Sequence, residues 1–249
     1  MFVAASTRCF PHVYFTKSLQ QLAELDYHAA EIVVSDNPND LTPDLIAQDF
    51  SEAVKECSIS RQITPETLFL ALPFDAADYL ATFENCVRLC QALRMVTLVV
   101  KSSPSGSPYN VEVERLRRLT QLGARAGVVV ALLTEQGASS ESIDSLESLC
   151  NCIPSLTIAL DPSHFIYGRP RPVNYDSLIS RVSHIRLRDT TEKCFQVQVG
   201  QGKLEYNRLV TQLAKANYRR ALCVDLAPLP NIDPNGELRK MRLLVESIL

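Results

Sequence analysis

Leu156-Thr157-Ile158-Ala159-Leu160-Asp161-Pro162-Ser163-His164 joins a β-rich run to a carboxylate, a proline and an imidazole. Pro162 has no amide hydrogen and a fixed φ, so it stops the strand. Asp161 then stands at the strand's carboxyl end and His164 in the turn after it, which is the end where α/β folds keep their chemistry. A plainer reading makes Asp161 the cap of a strand-terminating turn. The active-face reading is preferred because of what collects at the same end of the other strands.

The strand is one of a series. Upstream, Gly127-Val-Val-Val-Ala-Leu-Leu133 is a continuous apolar run of the kind a parallel strand covered on both faces requires, and Gly127 ends a helix predicted over 111–126. A helix over Glu141–Cys150 links the two strands. Downstream follow a predicted helix Tyr175–Val182, a strand Ser183–Arg188, a helix near Tyr206–Ala216, a strand Ala221–Asp225 and a C-terminal helix from Gly236. The N-terminal half repeats the phrase: strand Phe2–Ala5, helix Leu19–Leu25, strand Ala29–Val34, then one helix opened by Thr42-Pro43 with its apolar face on Leu45, Ile46, Phe50, Val54 and Cys57. Strand Leu68–Leu72, a helix carrying Tyr79 to Leu93, strand Val96–Val100 and a loop over Ser102–Asn110 complete it. About eight strand–helix repeats predict a (β/α)8 barrel, since sequential parallel strands with right-handed crossovers can close on themselves. A doubly wound open sheet is the runner-up, and no Gly-rich dinucleotide turn follows the first strand.

The 249 residues, 46% of them hydrophobic, can bury one large core, and no linker or low-complexity tract divides them, so residues 1–249 read as a single domain. A net charge of −3 argues against a nucleic-acid surface. Eight cysteines fall inside apolar helix and strand patterns, as buried thiols rather than a disulfide framework, and none has the spacing of a structural zinc site. No leader pattern or membrane-length apolar run is present, so a cytoplasmic protein with a small-molecule ligand is expected. A homodimer is the assembly allowed for.

In a barrel the strand ends converge on one mouth. That places together Arg8, Glu31, Lys101, Glu135, Asp161, His164, His184, Arg186, Asp189 and Asp225. Carboxylates with imidazole are a ligand set for Mn²⁺, Mg²⁺ or Zn²⁺, and such an ion could polarise a sugar's carbonyl and hydroxyl while carboxylates move the adjacent proton. That chemistry is sugar isomerisation or epimerisation. His184 reads equally as a hydrogen-bonded histidine inside the barrel and Glu31 as an acceptor for Arg8, while Gly200-Gln-Gly202 reads as a turn before it reads as a phosphate site.

The chain resembles the xylose isomerase-like, or sugar phosphate isomerase/epimerase-like, TIM barrels, a family that also includes endonuclease IV. The resemblance rests on Tyr27-His-Ala-Ala-Glu-Ile32, Leu160-Asp-Pro-Ser-His164, His184-Ile-Arg-Leu-Arg-Asp189, and Gly200-Gln-Gly202 with Leu204 and Tyr206. It implies a sugar or sugar phosphate ligand and a divalent metal held by a Glu on strand five, an Asp on strand six, a His on strand seven and a Glu on strand eight, the two Glu residues acting as acid and base. Asp161 matches, and His164 matches a residue that meets substrate. Glu135 and Asp225 become the acid–base pair, and Glu135, Asp161, His184 and Asp225 the metal ligands. Arg8, Glu31, Lys101, His164 and Arg186 become the substrate contacts.

The pattern departs at three places. Leu133 stands where the strand-five Glu belongs, with Glu135 roughly 6–7 Å further along. Arg186 stands at the strand-seven His, with His184 one pleat earlier, and Asp225 replaces the strand-eight Glu. An arginine cannot ligate a cation but can grip an anion through two parallel hydrogen bonds. The alternative expectation is therefore a catalytically degenerate barrel that binds an anionic sugar or a protein partner without metal. A nuclease related to endonuclease IV is a third and weaker reading, since a multi-zinc cluster needs many imidazoles and only 4 His residues are present on an acidic chain.

Overall fold

The structure, a computed structural model, describes residues 1–249. Strands β1 (Phe2–Ser6), β2 (Ala29–Val34), β3 (Thr64–Leu70), β4 (Thr97–Val100), β5 (Val129–Leu133), β6 (Thr157–Leu160), β7 (Val182–Leu187) and β8 (Ala221–Val224) close in sequence order into one parallel barrel. Around it lie helices α1 (Phe15–Glu24), α2 (Pro43–Gln48), α3 (Phe50–Cys57), α4 (Tyr79–Leu93), α5 (Tyr109–Arg125), α6 (Ile143–Cys152), α7 (Tyr206–Lys215) and α8 (Pro234–Glu246). The single (β/α)8 barrel expected from the repeats is the fold. No helix is long and apolar enough to cross a membrane.

Alternation along each strand sorts the side chains. Outward residues such as Ile32, Leu68, Leu98, Ile158, Ile185 and Leu222 pack under the helices in the main core. Inward residues form layers: Ala4, Ala29 and Ala221 at the amino-terminal end, and Val33, Phe69, Val99, Ala131, Leu133 and Ala159 nearer the mouth. Between and beside these apolar groups the interior is polar. Glu31 of β2 lies in register with Thr67 of β3, Ala159 of β6 with His184 of β7, and Arg186 of β7 with Cys223 of β8.

Element boundaries differ from the expected ones by a few residues in most elements, and three of the differences have a clear physical cause. The helix opened by Thr42 is two helices, because Asp49 leaves helical geometry (φ −138°) and accepts from the Glu52 amide at 3.0 Å, capping α3. β3 runs Thr64–Leu70 rather than Leu68–Leu72, since Thr64 and Pro65 already pair with Ala29 and Ala30. The register slips past Glu66, an irregularity beside which a residue without an amide hydrogen is tolerated. The helix expected over Tyr175–Val182 is a 3-10 turn, Asp176–Arg181, and Val182 already belongs to β7.

Candidate functional site

β7 and the residue that follows it send three alternate side chains, His184, Arg186 and Arg188, into the upper barrel. Arg186 lies across the interior, and Nε and Nη2 donate to the two oxygens of Glu31 at 3.1 and 2.5 Å. His184 donates from Nε2 to the same carboxylate at 2.9 Å, and Nδ1 faces the Thr67 hydroxyl at 3.4 Å. Nη1 of Arg186 is 3.5 Å from Oδ2 of Asp225. One nitrogen of Arg188, Nη2, reaches that oxygen at 2.6 Å and Oδ2 of Asp161 at 3.0 Å. The result is a continuous ladder, Asp161–Arg188–Asp225–Arg186–Glu31–His184, joining β6, β7, β8 and β2. Aromatic rings close it: Phe69 lies 4.0 Å from the Arg186 guanidinium and Phe195 4.6 Å from that of Arg188. Arg186 is only 1% exposed.

The electrostatics follow from this pairing. Burial alone would push the Glu31 carboxyl up, but the Arg186 charge and the His184 hydrogen bond hold it down at about 2. Burial likewise opposes ionisation of Asp225, and Arg188 and Arg186 reverse the effect and hold it well below the usual carboxylate range. Arg186 is shifted upward, Glu31 and then Asp225 outweighing its burial. The neighbouring thiols are inert: burial raises Cys9 to about 12 and pushes Cys223 well above its ordinary value. Burial lowers His164, which is a neutral imidazole that accepts from the Gln136 amide at Nδ1 (3.3 Å) and lies tilted against Phe195, ring centres 4.8 Å apart.

The expected site residues do not all converge. Asp161, His184, Arg186, Asp225 and Glu31 are brought together, yet all are buried and engaged in the ladder that Arg188 completes. Asp161 also accepts from the backbone and hydroxyl of Ser163, so it caps the turn as well as pairing with Arg188. His164 sits at the edge of this cluster, 3.8 Å from Asp161. Glu135 and Lys101 stand apart at the rim, 3.4 Å from each other and about one-third exposed. Arg8 is an exposed side chain at the end of β1, 5.9 Å from the Phe69 ring. Asp189 ties the β7–α7 loop, accepting from Gly200 N at 2.5 Å and Tyr206 Oη at 2.8 Å. A Cβ on Gly202 would lie 2.7 Å from the Asp189 carboxyl and the Thr190 amide, so Gly200-Gln-Gly202 is a turn packed against that carboxylate.

Sequence reasoning passed over Arg188, Thr67, Phe69, Phe195 and Cys223. The alternation His184-x-Arg186-x-Arg188 was the available signal for the first. Nothing local points to Phe195, which reaches the mouth from a long loop.

Glu31, His184 and Cys223 do place ligand atoms within 4.8 Å of one another, a candidate metal-binding group. The side chains around it do not fit a divalent ion. Both Glu31 oxygens already hold Arg186, Cys223 is kept as a thiol, and an added dication would stand against a guanidinium fixed at 2.5 Å from its ligand. The four-residue set Glu135, Asp161, His184 and Asp225 fits no better. Leu133 is the strand-five residue that faces the interior, Glu135 lies beyond the strand end, and Arg188 occupies the space between the two aspartates.

Residues 19–241 match the family model described as xylose isomerase-like TIM barrel. Curated proteins yield no match by sequence. Among solved structures, the zinc-bound IOLI protein superposes with a TM-score of 0.77 at 14% identity, over 100% of this chain and 98% of that one. A xylose isomerase-like TIM barrel protein from Mycobacterium smegmatis in complex with magnesium gives 0.78 at 12% identity, over 99% and 97%. The 3-keto-D-glucoside 4-epimerase YcjR from E. coli gives 0.76 at 16%, over 99% of each chain. At these identities the likeness is one of fold.

Proposed function

The chain belongs to the xylose isomerase-like TIM barrels, and from that premise we propose that it holds a small sugar or sugar phosphate at the barrel mouth without a divalent cation, guanidinium groups standing where a metal's charge would be. The observation that carries this reading is Arg188 Nη2, 3.0 Å from Asp161 and 2.6 Å from Asp225. Two carboxylates converging on one nitrogen already have a cation between them, and an arginine stays charged at every accessible pH. With Asp225 locked in this way, a proton transfer using a carboxylate on each side of the sugar has only Glu135 free, so the reading is binding without isomerisation. Eight free cysteines, six of them buried, support a reducing compartment and hence the cytoplasm.

The test is a metal inventory of the protein purified without chelator, combined with sugar binding before and after EDTA. Substoichiometric Mn, Mg and Zn with EDTA-insensitive binding is expected. One equivalent of bound metal would overturn the proposal. It would favour a second reading, a metal-assisted sugar isomerase/epimerase that moves a proton next to a carbonyl. That reading is supported by the Glu31–His184–Cys223 grouping and by the zinc- and magnesium-bound relatives in fold. It requires Arg186 to leave Glu31.

A further inference from the structure

The upper barrel axis is sealed: Phe69, Arg186, Asp161 and Asp225 are all buried. A concavity opens beside it, over the carboxyl ends of β3, β4 and β5. It has a volume of about 200 Å³, and Phe74, Asp75, Lys101, Ser102, Glu135 and Gln136 are among the residues that line it. At about 30 Å³ per water this is room for roughly seven waters, the size of a four- or five-carbon polyol.

Its wall is rigid. Pro104 and Ala138 form an antiparallel bridge, Ser105 N donates to Gly137 O at 2.9 Å and Ser139 N to Ser103 O at 2.8 Å. Gln136 is pinned by its side-chain amide, which donates to the carbonyls of His164 (2.9 Å) and Tyr167 (2.6 Å), so the recess is built onto the turn that follows Asp161. Ser102 is spent on Ser140 at 2.9 Å. The groups left to meet a ligand are Lys101 Nζ, the Glu135 and Asp75 carboxylates and the ring of Phe74.

The charges decide the ligand class. One ammonium faces two carboxylates, and Arg115, 5.6 Å from the Phe74 ring, is matched by both oxygens of Glu112 at 2.9 Å. A phosphate or a sugar acid would add a negative charge to a recess whose balance is already negative. Vicinal hydroxyls suit it better: carboxylates accept from them, the ammonium donates to them, and an aromatic face takes the apolar C–H side. Resting on the sugar-binding reading above, we propose that this off-axis recess is the seat of a neutral sugar or polyol of four or five carbons, with Glu135 and Lys101 binding hydroxyls and Phe74 stacking on the carbon chain or ring.

Ligand-observed NMR on the full chain tests this, with erythritol and ribitol as neutral probes and D-ribose 5-phosphate as the anionic one. Phe74→Ala and Glu135→Gln are compared with the parent protein, and circular dichroism melts verify that each variant folds. Ribitol binding weakened about tenfold by each variant, the loss expected for one stacking or charge-assisted contact, supports the assignment. Ribitol binding that both variants leave unchanged overturns the recess while the mouth-binding reading stands. Tighter binding of D-ribose 5-phosphate than of ribitol overturns the charge argument and with it the ligand class. No binding of any of the three probes overturns both the recess and the reading it rests on.

Discussion

Arg186 is the residue whose loss the barrel should feel most. Its guanidinium is the sole arginine partner of Glu31, a fully buried carboxylate. Arg186→Met would leave that carboxylate with His184 alone and should destabilise the fold by about 3–5 kcal/mol, read from urea unfolding at pH 7. The pH dependence has a definite sign. Glu31 is held at about 2, below its ordinary 4.5, so the pair contributes stability that is complete above about pH 4.5 and is lost as pH falls through about 2. In the Met variant the buried carboxyl moves upward, so its contribution is greatest in acid and is lost as pH rises. The gap between parent and variant should therefore be widest near neutrality and shrink on acidification. A gap that grew in acid would refute the pairing. Gly202 carries a separate expectation: Gly202→Ala drives a methyl to 2.7 Å from Asp189 and Thr190 N and should lower stability by about 1–3 kcal/mol in the same assay.

Among the elements, the break between α2 and α3 is the most testable. The Asp49 carboxylate satisfies the Glu52 amide, and Asp49→Ala should cost about 1 kcal/mol in thermal or urea unfolding. The strands were legible because a parallel barrel writes itself as short apolar runs ended by polar or proline positions; β2, Ala29–Val34, has the bounds expected of it. What escaped local reading depends on partners elsewhere in the chain: β3 starts early because β2 offers ladder partners to Thr64 and Pro65. The site divides along the same line. That Glu31, Asp161, His184, Arg186 and Asp225 would meet at one mouth follows from strand-end positions alone. That Arg186 would choose Glu31, 155 residues away and across the closed ring, follows from register and side-chain reach, which no local pattern contains.

Taken whole, the molecule is a barrel whose first and last strands pair directly, Phe2 with Ala221 through Ala5 with Val224. The Tyr27 hydroxyl adds a bond of 2.8 Å to the Leu238 carbonyl of α8. Its thiols report on that closure. Cys152 and Cys194 are exposed, whereas Cys9, Cys57, Cys86, Cys90, Cys150 and Cys223 are buried. In the native protein two thiols should react promptly with Ellman's reagent, and the other six only on addition of denaturant. Prompt reaction of Cys9 or Cys223 would mean that the ladder at the mouth opens to solvent.

The β7–α7 loop has a kinetic consequence. Asp189 holds it through its side chain to Gly200 and Tyr206 and through its carbonyl, which accepts from Val197 N at 2.9 Å. Gln196 exchanges two hydrogen bonds with the backbone of Ala227, at 2.6 and 2.8 Å. A segment tied at so many points does not swing over a ligand and back within one turnover, as the lids of gated barrels do. Entry and exit at this mouth should be ungated: association rates should follow solvent viscosity, and relaxation dispersion should find no microsecond-to-millisecond exchange in residues 189–203.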